Sequence, residues 1–362
     1  MAKFEGIQWA PRQMRYVLSE KQFDILEFDS KVYAISRSVH YAMFLAFEGV
    51  RFFCQKDGGK ELKLTFLNWN QNLERFRKGI AFNLSREQQA LTPSVEEMEH
   101  IFIHQYFQDP ALRPFLEEMA AAGAQGYLRP FTVDEEQSIG VTFPGNPAIR
   151  AGFNRYDRYL GEPFYGVVVP NLVRAVGLNK TGCLKLGINY LISAKAVDHA
   201  RGIEPQAAAA LFLDDRTHEP IENRYITEWD SSCCLFAFTD GTVVKIPESP
   251  LILPSVTIKG IVTILREMGT PVEERFLTYG ELLKAVREDR LVAVCSVGTA
   301  GILNRCQKLV LTNARDEVIA VHHQKKDHSL DKRLAEVRET YWKIYKGEAK
   351  LPAGMNLFMY NI

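Results

Sequence analysis

The stretch that organises this chain is Cys183-Leu184-Lys185-Leu186-Gly187-Ile188-Asn189-Tyr190, which sets a lysine among apolar residues and a glycine. A helix is predicted directly after it, at 191–201, with Asn189 as its N-cap and Gly202 at its end. A lysine in such a place either faces water from a strand or points into a pocket. In a pocket, an amine that loses solvation becomes a nucleophile able to form a Schiff base. Other stretches must decide between the two interpretations.

Composition predicts a globular protein long enough for two domains, with 362 residues of which 46% are hydrophobic and 24% charged. Lys plus Arg and Asp plus Glu both number 44, so no net charge draws the chain to nucleic acid or to an anionic membrane. No stretch approaches the ~20 apolar residues that a membrane-spanning helix needs. Because the six cysteines are scattered, we expect reduced thiols. We also expect a cytoplasmic location and no metal, and the balanced charge predicts no nucleic-acid or membrane partner.

Patterns of helix and strand occur in both halves and predict an α/β (α+β) chain. The predicted elements include a hairpin around Asp57-Gly58-Gly59, a helix at 72–82, a capping box at Ser94-Val95-Glu96-Glu97, a strand at 127–131, a hairpin at 234–246, and a helix that opens at Thr257. Tyr127 and Arg129 should share one strand face, where the pair would hold a carboxylate or form a surface ladder. A stretch rich in Gly, Pro, Tyr and Arg at 152–167 predicts a loop and the domain boundary.

These stretches together resemble the class IV (fold type IV), pyridoxal-phosphate-dependent aminotransferases, and most closely the branched-chain amino-acid aminotransferases. The resemblance runs from about Val39 to Val310. Its motifs, in the family's order, are His40-Tyr41, Phe47-Glu48-Gly49-Val50-Arg51, Asn72-Leu73-Glu74-Arg75-Phe76, Tyr127-Leu128-Arg129-Pro130, Val173-Arg174-Ala175 through Lys185 to Tyr190, Ile226-Thr227-Glu228, Leu253-Pro254-Ser255-Val256-Thr257 and Gly298-Thr299-Ala300. Each motif alone is weak, whereas the set in order favours the functional interpretation of Lys185.

The resemblance implies a small N-terminal α/β domain at 1–158, an interdomain loop at 159–175 and a larger pseudo-barrel domain that binds the cofactor at 176–362. It implies a homodimer that moves an amino group between an L-amino acid, branched-chain or otherwise hydrophobic, and a 2-oxo acid, with glutamate as a possible donor.

The implied roles follow the motifs. Lys185 would form the Schiff base with pyridoxal 5′-phosphate and move the proton, Tyr190 would bond the ring hydroxyl, and Glu228 would pair with the pyridine nitrogen. The phosphate would be held by Arg75, the amides of Val256 and Thr257, and the Thr299 hydroxyl. The amides of Thr299 and Ala300 would hold the substrate carboxylate. The side-chain pocket would be formed by Tyr41, Phe47, Tyr127 and Arg129, with Arg129 a candidate for the second carboxylate of glutamate.

Departures from the family pattern leave substrate and outcome open. The loop after Glu228 is one residue longer than usual and lacks the family's glycine and asparagine, so Asp230 is a second candidate for the acid at the pyridine nitrogen. Ser255 replaces a glycine, and Ile258 stands where an arginine is common. A specialised biosynthetic enzyme of the same fold remains an alternative, with another substrate or with a lyase, decarboxylase or racemase outcome. A catalytically silent cofactor-binding scaffold is a further alternative.

Overall fold

The computed structural model of the chain describes residues 4–57, 61–156, 158–159 and 164–362. Its backbone contacts divide the chain into two compact units. Unit 1 consists of Met1–Tyr159, Leu184–Ile188 and Met355–Ile362, and unit 2 consists of Leu160–Cys183 and Asn189–Gly354. The stretch around Lys185 is therefore part of unit 1, although the residues on either side of it belong to unit 2.

The strands of the described residues are, in chain order, β1 (Phe4–Glu5), β2 (Gln8–Trp9), β3 (Arg12–Val17), β4 (Gln22–Glu27), β5 (Val50–Asp57), β6 (Glu61–Leu67), β7 (Gln125–Asp134), β8 (Pro147–Tyr156), β9 (Arg158–Tyr159), β10 (Phe164–Val168), β11 (Ala207–Leu213), β12 (Ile226–Trp229), β13 (Cys233–Phe238), β14 (Val243–Lys245), β15 (Val272–Glu274), β16 (Leu291–Gly298), β17 (Ile302–Thr312), β18 (Val318–His323) and β19 (Leu357–Asn361).

The helices of the described residues are α1 (Arg37–Tyr41), α2 (Trp69–Phe82), α3 (Val95–Glu99), α4 (Arg113–Ala122), α5 (Tyr190–Ile203), α6 (Val256–Glu267), α7 (Tyr279–Arg287) and α8 (Ser329–Tyr345). A π-helical segment, His100–Tyr106, continues α3, and short 3₁₀ turns lie at Glu87–Leu91, Gly177–Asn179, Gly187–Asn189 and Ile221–Asn223.

Unit 1 is built on an eight-stranded sheet with the order β19-β6-β5-β7-β8-β3-β4, in which β2 also pairs with β8. Its neighbouring strands are antiparallel, and β7 and β8 pair over ten residues from Gln125 with Tyr156 to Asp134 with Pro147. One face of the sheet carries an aromatic core that includes Phe52, Phe66, Phe107 and Phe153. Since residues two apart on a strand share a face, Tyr127, Arg129 and Phe131 of β7 lie on the other face, away from this core.

Unit 2 is built on a nine-stranded sheet with the order β12-β11-β10-β17-β16-β13-β14-β15, in which β18 pairs with β17. Strand β10 runs parallel to both β11 and β17. Helix α5, which connects the β10 region to β11, packs its small residues Ala196 and Ala200 against Val167 and Ala210 of these strands. This arrangement confirms the predicted α/β class for both halves of the chain.

Several local predictions are confirmed. Ser94 caps α3 by accepting a hydrogen bond from the Glu97 N–H at 3.1 Å. The strand predicted at 127–131 is the middle of β7, and α2 contains the helix predicted at 72–82. The strands β5 and β6 pair as the predicted hairpin, although Gly58 and Gly59 of its turn lie outside the described residues.

Other local predictions are wrong or hold only in part. Asn189 does occupy the N-cap position of α5, but its side chain does not cap the helix: its amide donates to the Thr181 carbonyl at 2.9 Å. Gly202 lies inside α5 and does not end it. The stretch 152–167 is not one loop, since β8 runs to Tyr156 and β10 begins at Phe164, so the expected interdomain loop at 159–175 also contains a strand. Gly152, Tyr156 and Gly166 lie in buried strands, where neighbouring strands pair with the backbone.

None of the helices in the described part of the chain is both long enough and apolar enough to cross a membrane. The six cysteines all lie in that part, and none of them forms a disulfide.

Candidate active site

The backbone of Lys185 is fixed against the segment that precedes β5. The Phe47 N–H donates to the Lys185 carbonyl at 3.0 Å, and the Gly187 N–H donates to the Leu45 carbonyl at 2.8 Å. Leu186 between them is 1% exposed and anchors the stretch in the core of unit 1. The Lys185 side chain is half-buried, and its Nζ lies 5.1 Å from the centroid of the Phe47 ring. Lys185 is therefore held in place by contacts with a distant segment of the chain, and not by a regular strand.

A buried carboxylate lies next to Phe47. Glu48 is fully buried and accepts two hydrogen bonds from Arg75 of α2, at 2.7 Å from Nε and 2.6 Å from Nη2. The Gly49 N–H also donates to Glu48 Oε1 at 2.8 Å. Burial by itself raises the pKa of the Glu48 carboxyl, but the Arg75 and Lys185 cations and the Gly49 N–H outweigh it and hold that pKa below its usual value. Glu48 is thus the anion beside Lys185.

Arg129 and Tyr127 lie together on the same face of the unit 1 sheet, as their spacing predicts. Arg129 Nη2 is 3.1 Å from the Tyr127 hydroxyl, and its guanidinium lies 4.9 Å from the Phe47 ring centroid and 5.1 Å from the Tyr127 ring centroid. No carboxylate among the described residues pairs with Arg129. Gly49 leaves room for Tyr127, because a Cβ at Gly49 would overlap the tyrosine hydroxyl.

Unit 1 therefore brings Lys185, Phe47, Tyr127 and Arg129 into one neighbourhood. Tyr41 is the last residue of α1, is 44% exposed, and donates its hydroxyl to the Ile139 carbonyl at 3.0 Å.

In unit 2, Glu228 is a buried acid with a buried cation beside it. Glu228 on β12 is 2% exposed, and Arg174 Nη1 lies 2.9 Å from its Oε1. The Leu253 N–H donates to the same oxygen at 3.3 Å. Asp230 is used differently: its Oδ1 accepts the Ala210 N–H at 3.0 Å, and its own N–H donates to the Ala210 carbonyl at 2.8 Å. Asp230 thus anchors the edge of β11, which favours Glu228 as the acid for a ring nitrogen.

The candidate phosphate-binding residues of unit 2 lie at the start of a helix and in a turn. Ser255 caps α6 by accepting the Ile258 N–H at 3.2 Å, and Val256 and Thr257 form the buried first turn. Thr299 and Ala300 lie in the turn between β16 and β17. The N–H groups of a helix start and a short turn are suited to an anion. Tyr190 is the half-buried first residue of α5.

Glu48 and Arg174 lie in the sequence motifs, but the motifs predict no role for either residue. Each is a charged residue inside an apolar motif, and that was the available signal. Glu48 pairs with Arg75, the predicted phosphate ligand, and Arg174 pairs with Glu228, the predicted ring-nitrogen acid. The charged partner of each of these two predicted site residues therefore comes from a different motif of the same set.

The donor set fits pyridoxal phosphate by its chemistry. An aldehyde requires an amine, a protonated pyridine nitrogen requires a carboxylate, and a phosphate dianion requires N–H donors and hydroxyls. Unit 1 carries an amine of this kind at Lys185, and unit 2 carries a buried carboxylate at Glu228 and N–H or hydroxyl groups at Val256, Thr257 and Thr299. Within the described residues, no group of three or more His, Cys, Asp or Glu is arranged to hold a metal ion.

Comparisons with known proteins give curated relatives and solved structures. The chain is 27% identical over 206 residues to branched-chain-amino-acid aminotransferase 2 of Bacillus subtilis, covering 56% of this chain and 53% of that protein. It is 26% identical over 273 residues to a probable branched-chain-amino-acid aminotransferase of Staphylococcus aureus, covering 74% of this chain and 69% of that protein. The chain thus spans about half the length of the first relative. No protein-family model matches the chain.

Among solved structures, the branched-chain amino acid aminotransferase of Thermobaculum terrenum in its PLP form superposes with a TM-score of 0.67 at 16% identity, covering 94% of this chain and 95% of that chain. This match shows that the chain has the type IV fold. By sequence and by fold, the chain resembles the class IV, pyridoxal-phosphate-dependent aminotransferases, and specifically the branched-chain amino-acid aminotransferases.

Proposed function

We propose that this protein is a pyridoxal-phosphate-dependent aminotransferase that moves an amino group between an L-amino acid and a 2-oxo acid. The observation that carries the proposal is the half-buried amine of Lys185, held against Phe47 by backbone hydrogen bonds and placed near the buried Glu48 carboxylate. A solvated strand lysine would need none of these contacts. The relatives are branched-chain-amino-acid aminotransferases by name, which supports hydrophobic, branched-chain substrates.

When bound, pyridoxal phosphate supplies an aldehyde that takes up the amino group and a ring that withdraws electrons from the substrate Cα. Lys185 Nζ would bind the cofactor and then remove the proton from the substrate Cα. Glu228 would hold the proton on the ring nitrogen, and Arg174, 2.9 Å from Glu228 Oε1, would orient the carboxylate. Tyr190 would donate to the ring hydroxyl.

The remaining assignments concern the residues that would bind the phosphate and the substrate carboxylate, and those that would form the side-chain pocket. Val256, Thr257, Thr299 and Arg75 would bind the phosphate. Arg75 would do so while its Nε and Nη2 stay on Glu48. The substrate carboxylate would meet the amides of Thr299 and Ala300.

The side-chain pocket would be formed by Tyr41, Phe47, Tyr127 and Arg129. Because no acid of the described residues pairs with Arg129, its guanidinium is suited to the second carboxylate of glutamate as amino donor. We further propose a homodimer in the cytoplasm, as the resemblance and the six cysteines without disulfides suggest.

The test is the attachment of the cofactor. Protein purified with pyridoxal phosphate should absorb visible light, and borohydride reduction followed by peptide mapping should mark Lys185. Lys185→Ala should lose the absorbance and the transfer from any amino acid. The matched control is Lys180→Asn, because Lys180 has a φ of 54° that asparagine tolerates, and it should retain both properties. A label on Lys180, or an active Lys185→Ala protein, would contradict the proposal.

A further inference from the structure

The segment 45–48 joins the stretch around Lys185 to the unit 1 sheet. On one side it bonds to β7, where the Glu48 N–H donates to the Pro130 carbonyl at 2.9 Å. On the other side it bonds to the lysine stretch, where the Phe47 N–H donates to the Lys185 carbonyl at 3.0 Å. The position of Lys185 in unit 1 therefore depends on where this segment lies.

Phe44, which precedes the segment, has a left-handed backbone. Its φ is 54°, and a bulky side chain adopts this conformation only where its surroundings impose it. Burial is one such influence, since the Phe44 ring belongs to the hydrophobic core of unit 1. Because the turn at Phe44 sets the direction in which the chain enters 45–48, a change in that turn would displace the segment.

The Thr132 hydroxyl is a second influence on the turn. Thr132 of β7 is fully buried, and its Oγ1 donates to the Phe44 carbonyl and accepts the Ala46 N–H at 2.9 Å. One hydroxyl thus bonds the residues on both sides of Leu45. Without it, a buried carbonyl and a buried N–H would each lose a hydrogen bond, which is unfavourable.

The segment also has little room to shift. A Cβ at Gly187 would lie 3.2 Å from Leu45 Cβ, and a Cβ at Gly79 of α2 would lie 3.0 Å from Ala46 Cβ. Contacts this close hold only for one placement of the segment. A displaced segment would therefore lose its fit against the stretch that carries Lys185.

We propose that Thr132 is a positioning residue for Lys185, because its hydroxyl holds the left-handed turn at Phe44 that places 45–48 against 185–187. Thr132 acts through the backbone of the segment. The inference rests on the proposed function of Lys185 as the amine that moves the proton, and it adds a residue to which that function assigns no role.

Hydrogen exchange tests the placement without relying on activity. Full-length protein is compared with and without pyridoxal phosphate by mass spectrometry of peptides that cover 45–48 and 185–187. Thr132→Val keeps the shape of the side chain but removes the hydroxyl, so the Phe47 and Gly187 N–H groups should exchange about tenfold faster. Thr132→Ser keeps the hydroxyl and should exchange as the parent does.

The matched control is Thr312→Val in unit 2. Thr312 is also fully buried, and its hydroxyl donates to the Val168 carbonyl at 3.1 Å. This variant removes an equally buried hydroxyl and should leave exchange at Phe47 and Gly187 unchanged. Thr132→Ala replaces Thr132→Val if the latter does not fold. Exchange that is the same without the Thr132 hydroxyl overturns the inference, as does equally fast exchange in Thr132→Ser or in the control.

Kinetics of the holoenzyme give a result that a merely structural role would not produce. Because Lys185 moves the proton while other residues hold the substrate, a displaced amine should lower kcat about tenfold or more and leave KM within about twofold. Thr132→Ser should restore kcat, and Thr312→Val should leave it unchanged. In Thr132→Val, an unchanged kcat or an effect confined to KM overturns the inference.

The two measurements separate this inference from the proposed function. A parent protein that transfers amino groups, with exchange and kcat that do not respond to Thr132→Val, would overturn the positioning role and leave the proposed function standing. Faster exchange in Thr132→Val, without transfer by the parent from any amino acid, would overturn the proposed function and leave the placement of Lys185 by Thr132 standing.

Discussion

Glu48 and Arg75 form a fully buried ion pair in which two guanidinium nitrogens each donate to a separate carboxylate oxygen, at 2.7 and 2.6 Å. Their side chains are 1% and 7% exposed. A two-point pair of this kind holds both planes rigidly. The orientation of Arg75, the predicted phosphate ligand, therefore depends on Glu48.

Glu48→Gln should destabilise the protein by about 3 kcal/mol, because it leaves the Arg75 charge buried without a counter-ion. Denaturant unfolding measures the free energy. The control is Glu74→Gln on the same helix as Arg75, where the 41% exposed carboxylate pairs at 3.7 Å with Arg77 and the loss should be below about 1 kcal/mol. A similar loss of unfolding free energy in both variants would show that the buried pair stabilises the protein no more than the exposed pair does.

The same ion pair should make the free energy of unfolding depend on pH in the acid range. The folded-state pKa of Glu48 is lowered, so its contribution is present above the unfolded-state pKa of about 4.3 and is lost as pH falls through the lower folded-state pKa. The thermal unfolding temperature of the parent protein should therefore decrease as the pH falls below about 4.3. In Glu48→Gln, the unfolding temperature should change less with pH in that range. The same pH dependence in both proteins would contradict the role given to Glu48.

Glu228→Gln should slow amino-group transfer by about 10²-fold, since a neutral side chain holds the ring proton poorly. Asp230→Asn should have a much smaller effect, because an amide oxygen still accepts the Ala210 N–H that Asp230 binds at 3.0 Å. Single-turnover absorbance with an amino donor gives both rates, and thermal unfolding checks that each variant is folded. The opposite order would assign the ring nitrogen to Asp230.

Gly49→Ala should destabilise the protein by about 2 kcal/mol, because the new Cβ would overlap the hydroxyl and ring of Tyr127. Tyr127→Ala removes the obstacle, so the double variant should be less destabilised than the sum of the two single variants. Urea denaturation of the four proteins forms the cycle. Strict additivity would mean that Tyr127 moves aside at no cost.

His322 should give a second pH dependence at milder acidity. Burial, and then the nearby Lys325 and His323 side chains, lower the pKa of His322 from 6.5 to about 4. Stability is then complete above about pH 6.5 and is lost, by up to about 3 kcal/mol, as pH falls through 4. His322→Gln should remove most of this slope, whereas His218→Gln, at a 77% exposed side chain, should keep it.

Local features were predictable from sequence wherever a short period or a cap carries the signal. The shared face of Tyr127 and Arg129 follows from the two-residue period of a strand, and the Ser94 cap follows from its spacing to Glu97. The sequence leaves the acid at the ring nitrogen open between Glu228 and Asp230, because two carboxylates two residues apart differ only in what surrounds them. The bond from Ala210 to Asp230, which favours Glu228, joins residues on different strands.

By itself, the sequence determined the α/β class, the order of the motifs, the family resemblance and the candidate lysine, because these depend on residues that are neighbours along the chain. Tertiary structure alone decided that 184–188 joins unit 1, that Glu48 binds Arg75, and that the Thr132 hydroxyl bonds Phe44 and Ala46. The physical reason is that these contacts join segments far apart in sequence. Strand register and core packing bring such segments together, and no local periodicity records the outcome.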